Sequence, residues 1–438
     1  MMILLLTVAI LLPVSPVLSA GVEEYHLDNG LKVLVSEDHK VPLATFQIWY
    51  RVGSRDEVSG KSGLSHFLEH MMFKGTPKYG SKVFSKLVQR NGGVDNAMTS
   101  KDYTMYFQTL ASDRIGLSID LESDRMINLI LDPKETLAER DVVMEERRLR
   151  YDDDPQNALY EEFVATAFMS HPYRRPVIGW MSDIRSFQRD DLYSHYKKYY
   201  APDNAFIVVA GDVRADEIMR KIKAAFGDMK KSGVQEPTVS QEPVQRGEKR
   251  INLKKEAELP YVLLGYHTPS FPHGDSSGLE VLSTILSGGK SSRIYRELIY
   301  EKKLALNAGA DYSGMDRDPF LFLLWGTAAP GREISDLEQA LTAEIEKIKN
   351  NPPSEKEVQK AKNQIEASFI FGQDSLYRQA MQLGMFEVLG GWKLIDSYLE
   401  GIRKVKPADV QRVAQKYLTE DNRTVGVLVP LKEGESEK

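Results

Sequence analysis

His66 and His70 stand four residues apart with Glu69 between them, in the stretch Ser62-Gly-Leu-Ser-His-Phe-Leu-Glu-His-Met-Met-Phe-Lys-Gly75. If this stretch is helical, 3.6 residues per turn puts both imidazoles on one face, one turn apart. Two imidazoles so placed can hold one zinc ion. Glu69, three residues after His66, lies at the edge of that face and within reach of a water on the ion. A helix that happens to carry two histidines and a glutamate is the plain alternative, and a motif of five residues does not choose between them.

A catalytic zinc site needs a third protein ligand and one open position. The chain has no cysteine. That excludes disulfides, cysteine zinc sites, thiol catalysis and lipid attachment through cysteine, and leaves His, Asp or Glu as the third ligand. His26, His39, His171, His195, His267 and His273 are unpaired in sequence and read as surface or satisfied core residues. The acidic run from Glu135 to Arg148 is a better source. Glu139 and Glu146 are two helical turns apart (146 − 139 = 7) and share a face. Val142 and Val143 lie between them, so this face turns partly inward. A carboxylate held inward needs a partner, and a metal is one. A solvated helix whose arginines pair with its glutamates fits the spacing equally well.

The elements that must position these groups can be read along the chain. At 438 residues, with 27% charged residues and a net charge of −6, this is a folded chain with room for two or three cores. No basic tract points to nucleic acid. Residues 1–20 carry no charged side chain; an apolar run from Met2 to Leu12 is followed by Pro13, Pro16 and the small residues before Gly21. This reads as a signal peptide cleaved near Ala20, hence a periplasmic or secreted protein with no stable membrane insertion afterwards. A retained anchor is the alternative, but the run is short for a span. Asp28-Asn-Gly30 predicts a hairpin between two alternating strands. Further helices are expected at 62–73, 81–91, 113–130 and 133–150, with strands at 94–100 and 103–110. Residues 229–249 are polar, rich in Pro and Gly and without periodicity, which predicts a linker. Beyond it, helices are expected at 277–287, 291–302, 332–350 and, as one long element, 354–390; the tail 432–438 is charged.

The order of elements repeats across the linker. Asp191, Lys198, Tyr199, Asp203 and Asn204 match Asp409, Lys416, Tyr417, Asp421 and Asn422 at a constant offset of 218 (409 − 191, 422 − 204). Ser62-Gly-Leu64 matches Ser277-Gly-Leu279 at 215 (277 − 62). The chain is therefore expected to be a duplication: a domain at 21–228 carrying the candidate site and a homologous domain at 250–431. In the second copy Val281, Thr284 and Ile285 stand where His66, Glu69 and His70 stand in the first. Gly288-Gly-Lys-Ser-Ser292 ends like a nucleotide-binding loop, but its first glycine would be Thr284.

His66-Phe-Leu-Glu-His70, with a glutamate 76 positions after the second histidine (146 − 70), resembles the insulysin, pitrilysin and mitochondrial processing peptidase family. Its His-x-x-Glu-His order reverses the commoner His-Glu-x-x-His. The match extends to Gly63-Leu-Ser, Phe73-Lys-Gly-Thr76, Gly92-Gly93, Asn96-Ala97, Thr99-Ser100, Asp102-Tyr-Thr104 and Glu139-Arg-Asp-Val-Val-Met-Glu-Glu146. The resemblance implies an α+β fold: two homologous domains, each a mainly antiparallel sheet packed with helices, forming half of a clam-shaped chamber. It implies a zinc endopeptidase with one Zn2+ per chain, held by His66, His70 and Glu146. Glu69 would be the catalytic base and Glu139 a carboxylate supporting the ligands. Asn96 and Ala97 would lie on the strand edge that peptide substrates join.

The family pattern also includes, in the second half, an Arg and a Tyr seven apart that clamp the substrate. Ile299 and Leu306 occupy those positions here, with Arg296 and Tyr312 nearby at the wrong spacing. This departure, with the short chain, implies a dimer. Its partner would be a paralogous subunit supplying the Arg/Tyr pair; the alternatives are a self-sufficient homodimer and a non-catalytic peptide-binding subunit.

Overall fold

The computed structural model describes residues 21–431, so the expected signal segment and charged tail lie outside the described residues. The first half builds one sheet from β1 (Val22–His26), β2 (Lys32–Glu37), β3 (Leu43–Tyr50), β4 (Val94–Thr99), β5 (Thr104–Ala111) and β6 (Ala205–Gly211), in the spatial order β1-β2-β6-β3-β5-β4. The second builds another from β7 (Lys249–Glu256), β8 (Tyr261–Thr268), β9 (Ala305–Tyr312), β10 (Phe320–Ala328) and β11 (Arg423–Leu431), in the order β7-β11-β8-β10-β9. Without β1 the two orders coincide strand for strand. In each sheet one pair is parallel, β2 with β6 and β7 with β11, and the others are antiparallel. The α+β class and the two homologous sheet-and-helix halves are therefore as expected.

The hairpin turns where Asp28-Asn29-Gly30 predicts it. Gly30 takes φ +91°, a region that costs glycine nothing, and the Asn29 amide is buried, donating to the Phe226 carbonyl at 2.7 Å. The first-half helices are α1 (Leu64–Met71), α2 (Val83–Arg90), α3 (Gly116–Asn128), α4 (Pro133–Arg147), α5 (Pro155–Ala167), α6 (Met181–Ser186), α7 (Arg189–Tyr199) and α8 (Ala215–Phe226). The second half has α9 (Ser276–Ser287), α10 (Ile334–Asn350), α11 (Glu355–Phe371), α12 (Leu376–Leu389), α13 (Leu394–Lys404) and α14 (Pro407–Tyr417). The offset of 218 joins the ends of α7 to those of α14 (407 − 189, 417 − 199) and of β3 to those of β8 (261 − 43, 268 − 50). Residues 229–248, across most of the expected linker, form neither helix nor strand.

Two helices differ from expectation. The single helix expected over 354–390 is interrupted by a 3₁₀ turn at Gly372–Asp374, which separates α11 from α12. The segment expected to be a helix over 291–302 is largely a widened π turn, Tyr295–Glu301. The first interruption has a tertiary cause: α12 leaves its own half. Ala380, Leu383, Val388 and the adjacent Trp392 pack on the outer face of the first sheet, against Leu34, Trp49, Met105, Phe206 and Val208. Reciprocally, Leu159, Phe163, Val164 and Ala167 of α5 pack on the outer face of the second sheet, against Leu263, Phe320, Leu321, Leu323 and Leu428. Each sheet thus carries its own helices on one face and a helix lent by the other half on the opposite face. Burial on both faces explains why β6 is a continuous apolar run, Ala-Phe-Ile-Val-Val-Ala-Gly, with every residue buried. Glycines make the close approach possible. A Cβ on Gly384 of α12 would lie 2.3 Å from the Trp49 ring, and one on Gly265 of β8 would lie 2.6 Å from Phe163.

Charged groups close the seam. Arg55 is buried and its Nε donates to Asp318 at 2.5 Å, while His171 Nε2 lies 3.1 Å from the same carboxylate. Tyr173 donates to buried Asp102, which also accepts from the Arg317 backbone N–H at 3.1 Å. Burial would raise the Asp318 carboxyl, but His171 and Arg55 outweigh it and hold it down at about 2.

Truncating Phe163 to Ala should cost about 3–5 kcal/mol, as expected for an emptied aromatic site, and Gly384→Leu should also destabilise by overpacking Trp49. Chemical denaturation should show both losses as shifts of one transition that unfolds the two halves together.

Candidate metal centre

Placement of the site begins with α1. Its N-terminus has no side-chain cap of its own; the buried Glu57 carboxylate accepts from the Gly63 and Ser65 backbone N–H groups, each at 2.7 Å. Burial pushes the Glu57 carboxyl up to about 7 against those two hydrogen bonds. Ser62 is fixed by Asp183, and Gly63, at φ +93°, lies so close to Ile178 and Gly179 that a Cβ there would meet backbone at 2.3 Å. Buried His195 of α7 meets Ser65 Oγ at 3.1 Å. The helix thus presents His66, Glu69 and His70 at a fixed rotation.

The second wall is α4, capped by Asp132, whose carboxylate accepts from the N–H groups of Lys134 and Glu135. His66 Nε2 lies 3.7 Å and His70 Nε2 lies 3.3 Å from one oxygen, Glu146 Oε2. The ligand atoms of these three residues all lie within 4.8 Å of one another. Tetrahedral zinc with bonds of about 2.0–2.2 Å needs ligand atoms roughly 3.4 Å apart, so two nitrogens and an oxygen here are already near that spacing. Among the described residues this is the one group of three candidate ligands so gathered. The donor set, two imidazoles and a carboxylate with no thiolate, fits zinc.

Supporting groups fix each ligand. His70 Nδ1 pairs with Glu139 Oε1 at 2.9 Å, leaving Nε2 for a metal. Glu139 is held in turn by Lys74. Arg150 takes the other oxygen of Glu146 at 3.0 Å, which leaves Oε2 facing the histidines. The neighbouring Glu145 is exposed and pairs with Arg148 at 2.7 Å. His66 Nδ1 is buried with no hydrogen-bond partner. Glu69 accepts from Thr99 Oγ1 of β4 at 2.5 Å.

The electrostatics suit metal uptake. Burial, and then the neighbouring His70 charge, push His66 down to about 4, so its imidazole is neutral at pH 7. Burial would lower His70 too, but Glu139 and Glu146 outweigh it and hold it up at about 9. The hydrogen bond from His70 keeps Glu146 below the usual carboxylate range despite burial. Burial raises Glu69 above that range, against the Thr99 hydrogen bond. Such a carboxylate is a better proton acceptor than an exposed one.

The structure therefore brings His66, His70, Glu146, Glu69 and Glu139 together. Asn96 and Ala97 lie in the middle of β4, whose only partner among the described residues is β5, on one edge. Ala97 packs on the first core, whereas Asn96 is exposed and accepts from the Ala97 N–H at 2.9 Å. Sequence reasoning missed Lys74, Thr99 and Glu57. Lys74 lies just past the end of α1, and all three answer to contacts that no spacing encodes. At the expected clamp positions, Ile299 packs on the second core and Leu306 is exposed. Tyr312 is engaged with the Pro269 carbonyl at 2.5 Å, and Arg296 lies 3.6 Å from Glu301.

Zinc uptake near pH 7 should release about one proton. His70 is protonated below about 9 and must lose that proton to ligate, whereas His66 is already neutral above about 4. Titration calorimetry in buffers of different ionisation enthalpy measures the release, and it should disappear as the pH rises past that of His70.

Comparison with known proteins agrees with this geometry. Residues 32–180 match the family profile described as Insulinase (Peptidase family M16), and residues 186–365 match that of the Peptidase M16 inactive domain. The chain is 34% identical to the zinc protease PqqE of Helicobacter pylori over 93% of both sequences. A crystal structure of a protease from Helicobacter pylori superposes with a TM-score of 0.90 at 34% identity, over 93% of this chain and 99% of that one. The periplasmic protease PqqL of Escherichia coli shares the fold at a TM-score of 0.78 and 18% identity, over 94% of this chain but 48% of its own. Metal residues in the first half, their loss from the second and the shared sheet topology agree with these matches: the chain belongs to the insulinase family of peptidases, family M16, in its short bacterial form.

Proposed function

We propose that the protein is an exported zinc endopeptidase that cuts peptides or small unfolded proteins, as the catalytic member of a dimer. The observation that carries this reading is the convergence of His66, His70 and Glu146 beside a desolvated carboxylate, Glu69. Bound zinc, one per chain, would supply Lewis acidity, acidifying a water and polarising the scissile carbonyl. Glu69 would take the attacking water's proton and deliver it to the leaving amine. Thr99 aims that carboxylate, and Glu139 and Lys74 keep His70 oriented. A peptide would add as a strand to the edge of β4 away from β5, near Asn96 and Ala97, with main-chain hydrogen bonds giving loose sequence preference.

The uncharged apolar run before Gly21 supports export to the periplasm or beyond. Among the described residues no helix is long and apolar enough to cross a membrane. Engagement of Tyr312 with Pro269, and Ile299 and Leu306 at the clamp positions, support a partner that completes the chamber. A paralogous subunit bearing the Arg/Tyr pair fits best; a second copy of this chain is the other reading.

Purified with its partner, the protein should hydrolyse a quenched peptide in a chelator-sensitive way, and purified alone it should not reach that activity. Glu69→Gln should reduce turnover about 10²–10⁴-fold with zinc content unchanged. Glu146→Gln should lower zinc content by elemental analysis, and Glu145→Gln should not. Full activity in Glu69→Gln would overturn the mechanism; full activity of the chain alone would assign a homodimer.

A further inference from the structure

The second half has a cavity where the first has its metal centre. The helix α9 packs against β9, α11 and α14 as α1 packs against β4, α4 and α7. Between α9 and α11 lies a cavity of about 360 Å³. Thr284 and Ile285 on its wall are the counterparts of Glu69 and His70 (284 − 69 = 285 − 70 = 215). Across from them, Glu357, Ala361 and Gln364 of α11 complete the lining, with Ala361 standing where Glu139 stands in the first half (361 − 139 = 355 − 133 = 222). The polar groups on the α11 wall have partners of their own. Gln364 donates to the Gly288 carbonyl at 2.9 Å, and Glu357 holds Arg293 through two hydrogen bonds of 2.8 and 3.2 Å.

The lining is cationic, with five Lys and Arg side chains against three Glu, in a chain whose net charge is −6. Among the described residues Lys356 and Lys360 have no carboxylate partner; Lys360 donates to the hydroxyl of Ser291. Ser292, on the same wall, is 5% exposed and its hydroxyl has no hydrogen-bond partner among the described residues. A buried hydroxyl without a partner is costly. The string Gly288-Gly-Lys-Ser-Ser292, which fails as a nucleotide-binding loop, supplies both serines to this cavity.

We infer that this cavity binds a small phosphoryl oxyanion, free phosphate or a phosphate monoester, held by Lys356, Lys360, Ser291 and Ser292. Hydroxyl and ammonium donors converging from two walls suit a tetrahedral group. Of the two planar forks that line it, which favour carboxylates, Arg293 is occupied by Glu357 and Arg296 lies 3.6 Å from Glu301. The site lies in the half without the metal ligands, so it stands or falls separately from the proposed peptidase chemistry.

The test titrates the full chain with inorganic phosphate and with glycerol phosphate at constant ionic strength, by calorimetry and by the thermal midpoint. Saturable binding and a midpoint that rises with ligand concentration are expected, and both should persist after the metal is removed with a chelator. The stronger of the two ligands tells free phosphate from an ester. Lys360→Glu, at an exposed position, should weaken binding about tenfold or more while leaving the unliganded midpoint and zinc content unchanged; Ser292→Ala should weaken it as well. Absence of saturable binding, equal binding by Lys360→Glu, loss of binding on metal removal, or equal affinity for acetate would each overturn the assignment.

Discussion

Both sheets are buried on both faces, and the second face of each is covered by a helix that the other half provides. This constraint reaches the metal centre directly. The candidate ligand Glu146 lies one residue from the end of α4, and the next residue, Arg147, is bonded twice to Glu161 of α5, at 2.7 and 2.8 Å, and to the Gly179 carbonyl at 2.9 Å. The helix α5 is the one packed on the far sheet. The carboxylate that faces the two histidines is therefore anchored, through a single arginine, to the packing of the opposite half. Gly179 also lies against Ser62 and Gly63, at the start of α1, so closely that a Cβ on it would meet the Ser62 carbonyl at 2.2 Å. Both walls of the site meet the same short segment.

The two halves show how much chemistry one scaffold can exchange. In the first, buried imidazoles are set against carboxylates so that one is neutral and the other protonated before any metal arrives. In the second, Val281 and Ile285 stand in place of the two histidines, and the carboxylates nearby are paired with arginine and lysine. The sheets and their strand order are retained, as are the ends of α7 in α14. Function has been changed by replacing side chains around a helix pair whose spacing is fixed by the sheet beneath.

The site's ligands were legible because helical spacing of His66 and His70 is a local property, and because the interval to Glu146 is a family pattern. From helical periodicity alone the choice between Glu146 as a ligand and a solvated glutamate stayed even. What favours the ligand reading in the structure is Arg150 on one carboxylate oxygen and the histidines around the other, with Glu145 turned to solvent beside Arg148. The repeat was legible from matched residues such as Asp191 and Asp409. The break at Gly372 was not, because α11 and α12 each keep a helical period and differ only in which sheet they face. Periodicity reports that a helix has an apolar side and is silent about whose core that side enters. For the same reason nothing in the sequence revealed Glu57 as the cap of α1, since that bond answers to tertiary placement alone.

The lending of α5 and α12 has a consequence for ancestry. These are corresponding helices of the two repeats, each docked on the other's sheet. Cut between the repeats, the molecule would be a domain-swapped dimer of a single unit of about 215 residues. Such a unit alone would leave one apolar sheet face bare, so it could exist only in pairs. Joining two copies in one chain turned an obligatory association between molecules into an intramolecular one. That freed the copies to diverge: each still had to offer its helix to the other, but only one had to keep the metal.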